Sequence, residues 1–211
     1  MIILGLTGSI GMGKTEAAKM FRRLQVPVFD ADASVHSILA ANDEAISEVA
    51  AAFPEAVSDG SVDRQKLGAW VFDKPGQLKR LESIIHPRVR CREKRFIAEA
   101  ARHGARLLVL DIPLLFESGN QDRCDATAVV SAPAFVQRGR VLGRPGMTSE
   151  KYVAILERQM PDAEKRRCAD FVIPTGLGKR FSLQRIRGII TMLSGLSKHS
   201  ISSPSRRRLY A

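Results

Sequence analysis

The sequence predicts an α/β fold with a mainly parallel sheet flanked by helices, and three observations carry this. Short apolar stretches alternate with segments of helical spacing along most of the 211 residues. The first stretch, IILGLT, runs into a glycine-rich turn, then a helical segment, then a second apolar stretch. That order is a βαβ unit, whose parallel strands require a crossover helix. Finally, hydrophobic residues at 45% and charged residues at 26% are ordinary for a globular domain with one sizeable core.

The elements follow in order. After IILGLT and the glycine turn, KTEAAKMFRRL places Ala17, Ala18, Phe21 and Leu24 on one helical face. VPVFD is a second short strand ending in an acid. DASVHSILA and NDEAISEVAAAF read as helices, and DGSVDRQKLGAWVF as a turn followed by a helix that Asp63 caps. From Pro75 to His103 the pattern is helical and charged. Pro87 has no N–H and disfavours α conformation at His86, so a break or a new helix start is expected there. ARLLVLDIP is a buried strand between Gly104 and Pro113, and ATAVVSA is another. PAFVQRGRVLGR reads as a helix opened by Pro133, and TSEKYVAILERQM as one capped by Thr148 or Ser149. DFVIPT is a last short strand and SLQRIRGIITMLSGL a last amphipathic helix. No internal repeat is visible.

Several function classes are set aside by composition. No run approaches the roughly 18 apolar residues of a membrane span. MIILGLTG reads as a strand rather than a secretion signal, so the expected location is the cytoplasm. Cys91, Cys124 and Cys168 are scattered, without metal or disulfide spacing. The net charge of +11 suggests nucleic acid until it is located: eight of those charges lie from Lys179 onward, where no acid occurs, leaving about +3 for the rest. The terminal SISSPSRRRLYA therefore reads as a solubilising or incidental tail in preference to a nucleic-acid arm.

The chemistry begins at the first strand's carboxyl end, where ligands of parallel α/β sheets collect. Gly8, Gly13, Lys14 and Thr15 satisfy G-x-x-x-x-G-K-[ST], with Gly11 between them. Glycines allow positive φ and let backbone amides converge on phosphate oxygens, while the following helix presents its positive end. Lys14 is placed to bridge β- and γ-phosphates and the Thr15 hydroxyl to ligate magnesium. This predicts nucleotide binding with Mg²⁺. The loop alone does not distinguish kinases from other nucleotide hydrolases, although the absence of a guanine-reading NKxD speaks against a GTPase.

VFDAD sets Asp30 and Asp32 just past the second strand. Asp30 reads as a helix cap or supporting group, and Asp32 as a carboxylate able to accept the proton of an attacking hydroxyl. Asp111 ends LLVLD, where an acid either holds a magnesium-bound water or turns the chain before Pro113. Arg138, Arg140 and Arg144 sit on and just past the helix opened by Pro133, with Arg140 the choice for charge delivery to the transferring phosphoryl group.

Taken together, LTGSIGMGKT, VPVFDAD, IIHPRVR, LDIPLLFE, VQRGRVLGR, RQM and ADFVI, in that order, resemble the dephospho-CoA kinase family from Met1 to about Gly178. The resemblance implies a P-loop NTPase-like kinase domain over 1–178, with a helical acceptor-binding insert over about 33–103 and an arginine-bearing lid over about 138–160. A C-terminal helix and basic tail fill 179–211. It implies transfer of the ATP γ-phosphate to the ribose 3′-hydroxyl of dephospho-CoA, with these two small molecules as partners and a monomer or weak homo-oligomer as the state. By the same resemblance Asp32 is the base, and Lys14 and Arg140 act in catalysis. Gly8, Gly11, Met12, Gly13, Lys14, Thr15, Glu16 and Arg144 hold the nucleotide. His86 beside Pro87, and Pro113, Leu114, Leu115 and Glu117, line the acceptor side; without the resemblance, His86 is a satisfied helix-break histidine and Leu114, Leu115 and Phe116 are core.

Two departures stand out. Met12 and Glu16 replace residues that are small or hydroxylated in the family, and the Glu16 charge is expected to weaken ATP affinity modestly. Pro174 and Thr175 stand where the family commonly has an asparagine, which removes that asparagine as an adenine-side contact.

Overall fold

The structure is a computed structural model and describes residues 1–40, 44–58, 61–71 and 74–196. The basic tail from Ser197 onward and the turn residues Asp59 and Gly60 lie outside the described residues. The chain forms two compact units, Asp30–Glu99 and the remainder on either side of it.

The first unit is built on a five-stranded sheet. Its strands are β1 (Ile2–Thr7), β2 (Val28–Asp30), β5 (Leu107–Asp111), β6 (Ala126–Ser131) and β7 (Phe171–Pro174), in the spatial order β2-β5-β1-β6-β7. β1 pairs in parallel with β5 and with β6, and β6 with β7. The apolar runs become strands because every second residue packs on one face: Ile2, Leu4, Leu6, Leu107, Val109, Ala128, Val130 and Ile173 share one core. The intervening Leu108, Leu110 and Val129 are equally buried, so the central strands are covered on both faces.

Helices α1 (Lys14–Arg23) and α9 (Lys179–Ser194) supply Ala17, Ala18, Phe21, Ile186, Ile189 and Leu193 to that shared core. Helices α6 (Ala134–Leu142) and α7 (Ser149–Glu157) follow β6 and contact each other, α6 after Pro133 and α7 with Thr148 as its cap. A further short helix, α8 (Asp162–Cys168), was not visible in the sequence, where its charged residues show no apolar stripe. It packs on β6. The register pairs Leu6 with Asp111, which brings the acid at the end of β5 level with the last turn of backbone before the glycine loop.

The second unit holds α2 (Ala31–Ala40), α3 (Glu44–Ala52), α4 (Arg64–Val71) and most of α5 (Pro75–Arg102). A small antiparallel pair, β3 (Val57–Ser58) with β4 (Ser61–Val62), also lies here; the sequence reading had only a turn at this point. Leu39, Val49, Phe53, Ala56, Leu67, Leu81 and Ile85 form its core. Asp63 Oδ1 accepts from Lys66 N at 3.1 Å, the expected cap of α4.

The break expected at Pro87 does not occur, because α5 runs through it without interruption. A proline inside a helix removes one backbone donor and crowds the preceding turn, at a cost of about 3 kcal/mol. Here the preceding turn places Leu81 and Ile85 in the core, and Arg88 Nη1 donates to Ile84 O at 2.8 Å. The same guanidinium pairs with Glu48 at 2.9 Å. The carbonyl that Pro87 leaves without its helical donor is that of the exposed Ser83, so burial of the neighbouring apolar residues is what offsets the proline.

Candidate active site

β1 delivers the chain to the glycine loop at Thr7, a fully buried residue whose Oγ1 donates to Pro113 O at 2.9 Å. The loop then closes a turn in which Met12 N donates to Ser9 O at 3.1 Å. Gly11 and Gly13 have φ of 74° and 92°, the left-handed region that favours glycine. Gly8 is fixed by space: a Cβ there would lie 2.2 Å from Val130 Cγ2 and 3.0 Å from Val130 O. The loop is thus a backbone cradle with side chains excluded from three positions. Ser9 Oγ is buried in it without a hydrogen-bond partner among the described residues.

Helix α1 starts at Lys14, so its first amides and positive end face the cradle's mouth. Lys14 Nζ contacts Asp111 Oδ1 at 2.7 Å, and Asp111 is only 3% exposed. Of the two roles left open for Asp111, the turn-forming one is therefore insufficient, because its carboxylate faces the phosphate-loop lysine. Thr15 is exposed at the next position. Glu16 pairs with Lys179 Nζ at 2.8 Å and with Lys19 Nζ at 3.2 Å. Those hydrogen bonds, the one from Lys179 first, hold its carboxyl below the usual carboxylate range. Glu16 therefore does not stand as an uncompensated charge.

Side chains from distant segments grip the back of the loop. Gln137 Nε2 donates to Ile10 O at 2.8 Å, Arg140 Nη1 to Gly11 O at 3.3 Å, and Thr175 Oγ1 to Met12 O at 2.6 Å. Ile10 N in turn donates to Gln159 Oε1 at 3.0 Å. Arg140 also donates through Nη2 to Thr175 O at 2.7 Å, so its guanidinium is anchored between the loop and the segment after β7. Arg138 and Arg144 are exposed.

The segment after β5 is only partly open. Leu114 is 43% exposed, whereas Leu115 is fully buried, with its Cδ2 2.9 Å from where a Cβ on Gly5 would lie. Glu117 Oε1 accepts from Met160 N at 2.9 Å and lies 2.7 Å from the Nζ of the fully buried Lys165. The two opposite charges thus meet as a buried ion pair. In the other unit Asp30 Oδ1 accepts from Ala33 N at 2.9 Å, the capping role. Asp32 lies exposed in the first turn of α2, and His86 and Pro87 are exposed on α5.

A phosphate cradle with its lysine on a buried strand-end acid is common to many nucleotide enzymes, and comparison decides among them. The profile of the dephospho-CoA kinase family matches residues 2–177. The chain belongs to the dephospho-CoA kinase family. It is 58% identical over 195 residues to a dephospho-CoA kinase of Paramagnetospirillum magneticum, covering 92% of each chain. It is 54% identical over 195 residues to one of Mesorhizobium japonicum, covering 92% of this chain and 98% of that one. Its fold is similar to a Thermus thermophilus crystal structure at a TM-score of 0.78 and 38% identity, covering 93% of this chain and 98% of that one.

As a dephospho-CoA kinase family member, the chain shows a phosphate loop, Asp111 and arginine helix within one unit, and Asp32, His86 and Pro87 within the other. Gln137, Tyr152, Gln159 and Lys165 escaped the sequence reading. Gln137 in VQRGRVLGR and Gln159 in RQM entered only as parts of a pattern, and no local signal marked Tyr152 or Lys165.

Proposed function

We propose that Lys14, Asp32 and the arginines of α6 carry the phosphotransfer of this family in this chain. The chain is an ATP-dependent phosphotransferase that phosphorylates the 3′-hydroxyl of dephospho-CoA, the final step of coenzyme A synthesis. One observation supports the residue roles most strongly: the side-chain-free cradle of Gly8, Gly11 and Gly13 opens on Lys14, which is already aimed by Asp111. When phosphates enter, Lys14 exchanges its carboxylate partner for them, and the cradle amides take further oxygens.

A magnesium ion fits the donor set, because such ions keep waters and substrate phosphates and need only one or two protein oxygens. The Thr15 hydroxyl and the Asp111 carboxylate would hold it, and it would supply charge neutralisation across the β- and γ-phosphates. Asp32 receives the proton of the ribose hydroxyl as the new P–O bond forms and the bond to ADP breaks. Arg140 and Arg144 lie on the nucleotide side, Arg140 fixing loop backbone and Arg144 free to meet phosphate charge. Pro113 and Leu114 face the acceptor, while Leu115 and Glu117 keep that segment in place. His86 and Pro87 contribute to the acceptor side from α5. Residues of about 138–160 act as a lid that excludes water from the transferring group. The setting is the cytoplasm, with a monomer or weak homo-oligomer as the working form.

The test is steady-state ADP release with ATP, magnesium and dephospho-CoA, beside Lys14→Ala and Asp32→Asn. Acceptor-dependent turnover that falls at least about 100-fold in either variant supports these roles. Turnover in Asp32→Asn within a few-fold of the parent removes Asp32 from the reaction.

A further inference from the structure

A peptide group is planar and trans, so the carbonyl of one residue and the amide of the next point in opposite directions. Three consecutive carbonyls of the phosphate loop, those of Ile10, Gly11 and Met12, are each taken by a side chain: Gln137, Arg140 and Thr175. Pulling the Ile10 and Met12 carbonyls outward turns the amides of Gly11 and Gly13 the other way, toward the inside of the loop. These are the two glycines of the loop whose φ is positive. Gln137 and Thr175 thus set the direction of the two amides that must meet phosphate, while Arg140 holds the peptide whose amide, Met12 N, closes the turn on Ser9 O.

Of the three, Gln137 also connects to α7. It is 5% exposed, and its Oε1 accepts from Tyr152 OH at 3.2 Å; Tyr152, on α7, is 8% exposed. The amide orientation is fixed chemically, because Ile10 O can only accept, so the nitrogen must face the loop and the oxygen must face the tyrosine. Ile10 is also held through its own N–H by Gln159, just past the end of α7. Helix α6 lies close enough that a Cβ on Gly11 would come within 3.0 Å of Gln137 O. Both polar atoms of Ile10 are therefore committed to residues at and beyond α6 and α7.

We propose that Gln137 is a positioning residue for phosphoryl transfer, and that Tyr152 acts through it, so that the amide geometry of the phosphate loop depends on how α7 is seated. This rests on the reading of the loop as the ATP site. A shift of α7 that loosens Tyr152 frees Gln137 to rotate, and Ile10 O then loses the donor that holds it outward.

The experiment compares the parent with Gln137→Met, Gln137→Glu and Tyr152→Phe. It measures ATP affinity by calorimetry without acceptor, then KM for each substrate, kcat and the thermal midpoint. Gln137→Met keeps volume and loses both hydrogen bonds; Gln137→Glu keeps the acceptor for Tyr152 and loses the donor to Ile10. Both are expected to weaken ATP binding and lower kcat/KM for ATP by about 10-fold or more, and Tyr152→Phe by roughly 3-fold. KM for dephospho-CoA should stay unchanged throughout. Loss of stability with ATP affinity and kcat intact would overturn the proposal, as would a Gln137→Glu enzyme with parental ATP affinity. If the parent binds no ATP, both this proposal and the reading of the loop fail; parental binding lost in Lys14→Ala but kept in Gln137→Met sinks the proposal alone.

Discussion

Lys165 is fully buried, and its ion-pair partner among the described residues is the Glu117 carboxylate at 2.7 Å. Replacing it with methionine preserves most of the volume and removes the ammonium. Glu117 then keeps the Met160 amide on Oε1, while Oε2 is already buried without a hydrogen-bond partner. Breaking a buried pair by deleting one member destabilises by about 3–5 kcal/mol, since the remaining charge stays desolvated. For a domain of ordinary stability, about 5–15 kcal/mol, that is a substantial fraction. Glu117→Gln should cost a similar amount by stranding the ammonium, yet it retains an acceptor for Met160 N. The double variant, with neither charge, should recover most of the loss, to within about 2 kcal/mol of the parent. The assay is urea unfolding of the four proteins at pH 7, read as a double-mutant cycle. Additive losses, or a Lys165→Met change under about 1 kcal/mol, would show that this pair does not hold the segment after β5 to the start of α8.

The paired state of Glu16 predicts that Glu16→Gln changes KM for ATP by less than about 2-fold, whereas Lys179→Ala raises it in a salt-sensitive way; a large gain in ATP affinity for Glu16→Gln would show the charge is uncompensated. Because its folded-state carboxyl titrates below the unfolded one, its stabilising pairing is present above about pH 4.5 and is lost as pH falls through the folded value. The Tm gap between parent and Glu16→Gln should therefore close on acidification, and a gap that widens contradicts the pairing. Pro87→Ala restores a backbone donor to Ser83 O within α5 and should stabilise the chain by about 1–2 kcal/mol, less than the full proline penalty because Ser83 is exposed and water serves its carbonyl in the parent. The same variant should raise KM for dephospho-CoA without changing KM for ATP, and the reverse pattern would place Pro87 on the nucleotide side.

What the sequence reveals divides by range. β1, β5 and β6 were legible because uninterrupted apolar runs ended by glycine, proline or acid have few alternatives. The phosphate loop was legible because its chemistry is written in eight adjacent positions. Asp30 and Thr148 were legible as caps for the same local reason. Pro87 was misread because its local effect was weighed without Leu81 and Ile85, whose burial outweighs it only once the helix is packed. The grip on the loop was invisible: Gln137, Gln159 and Thr175 reach it across 127, 149 and 163 positions. Glutamine and threonine have no distinctive pattern of their own. Thr175 shows this most sharply, since the sequence registered only a missing asparagine, whereas its hydroxyl holds Met12 O and its carbonyl anchors Arg140.

The most direct test of the account is the position of the transferred phosphate. Purified protein, ATP, magnesium and dephospho-CoA would be followed by phosphorus NMR, with an acceptor lacking the ribose 3′-hydroxyl as control. The account predicts a new phosphomonoester on the 3′-oxygen, formed in step with ADP and absent with the control acceptor. Release of ADP with inorganic phosphate alone, or phosphorylation of the control, would contradict it.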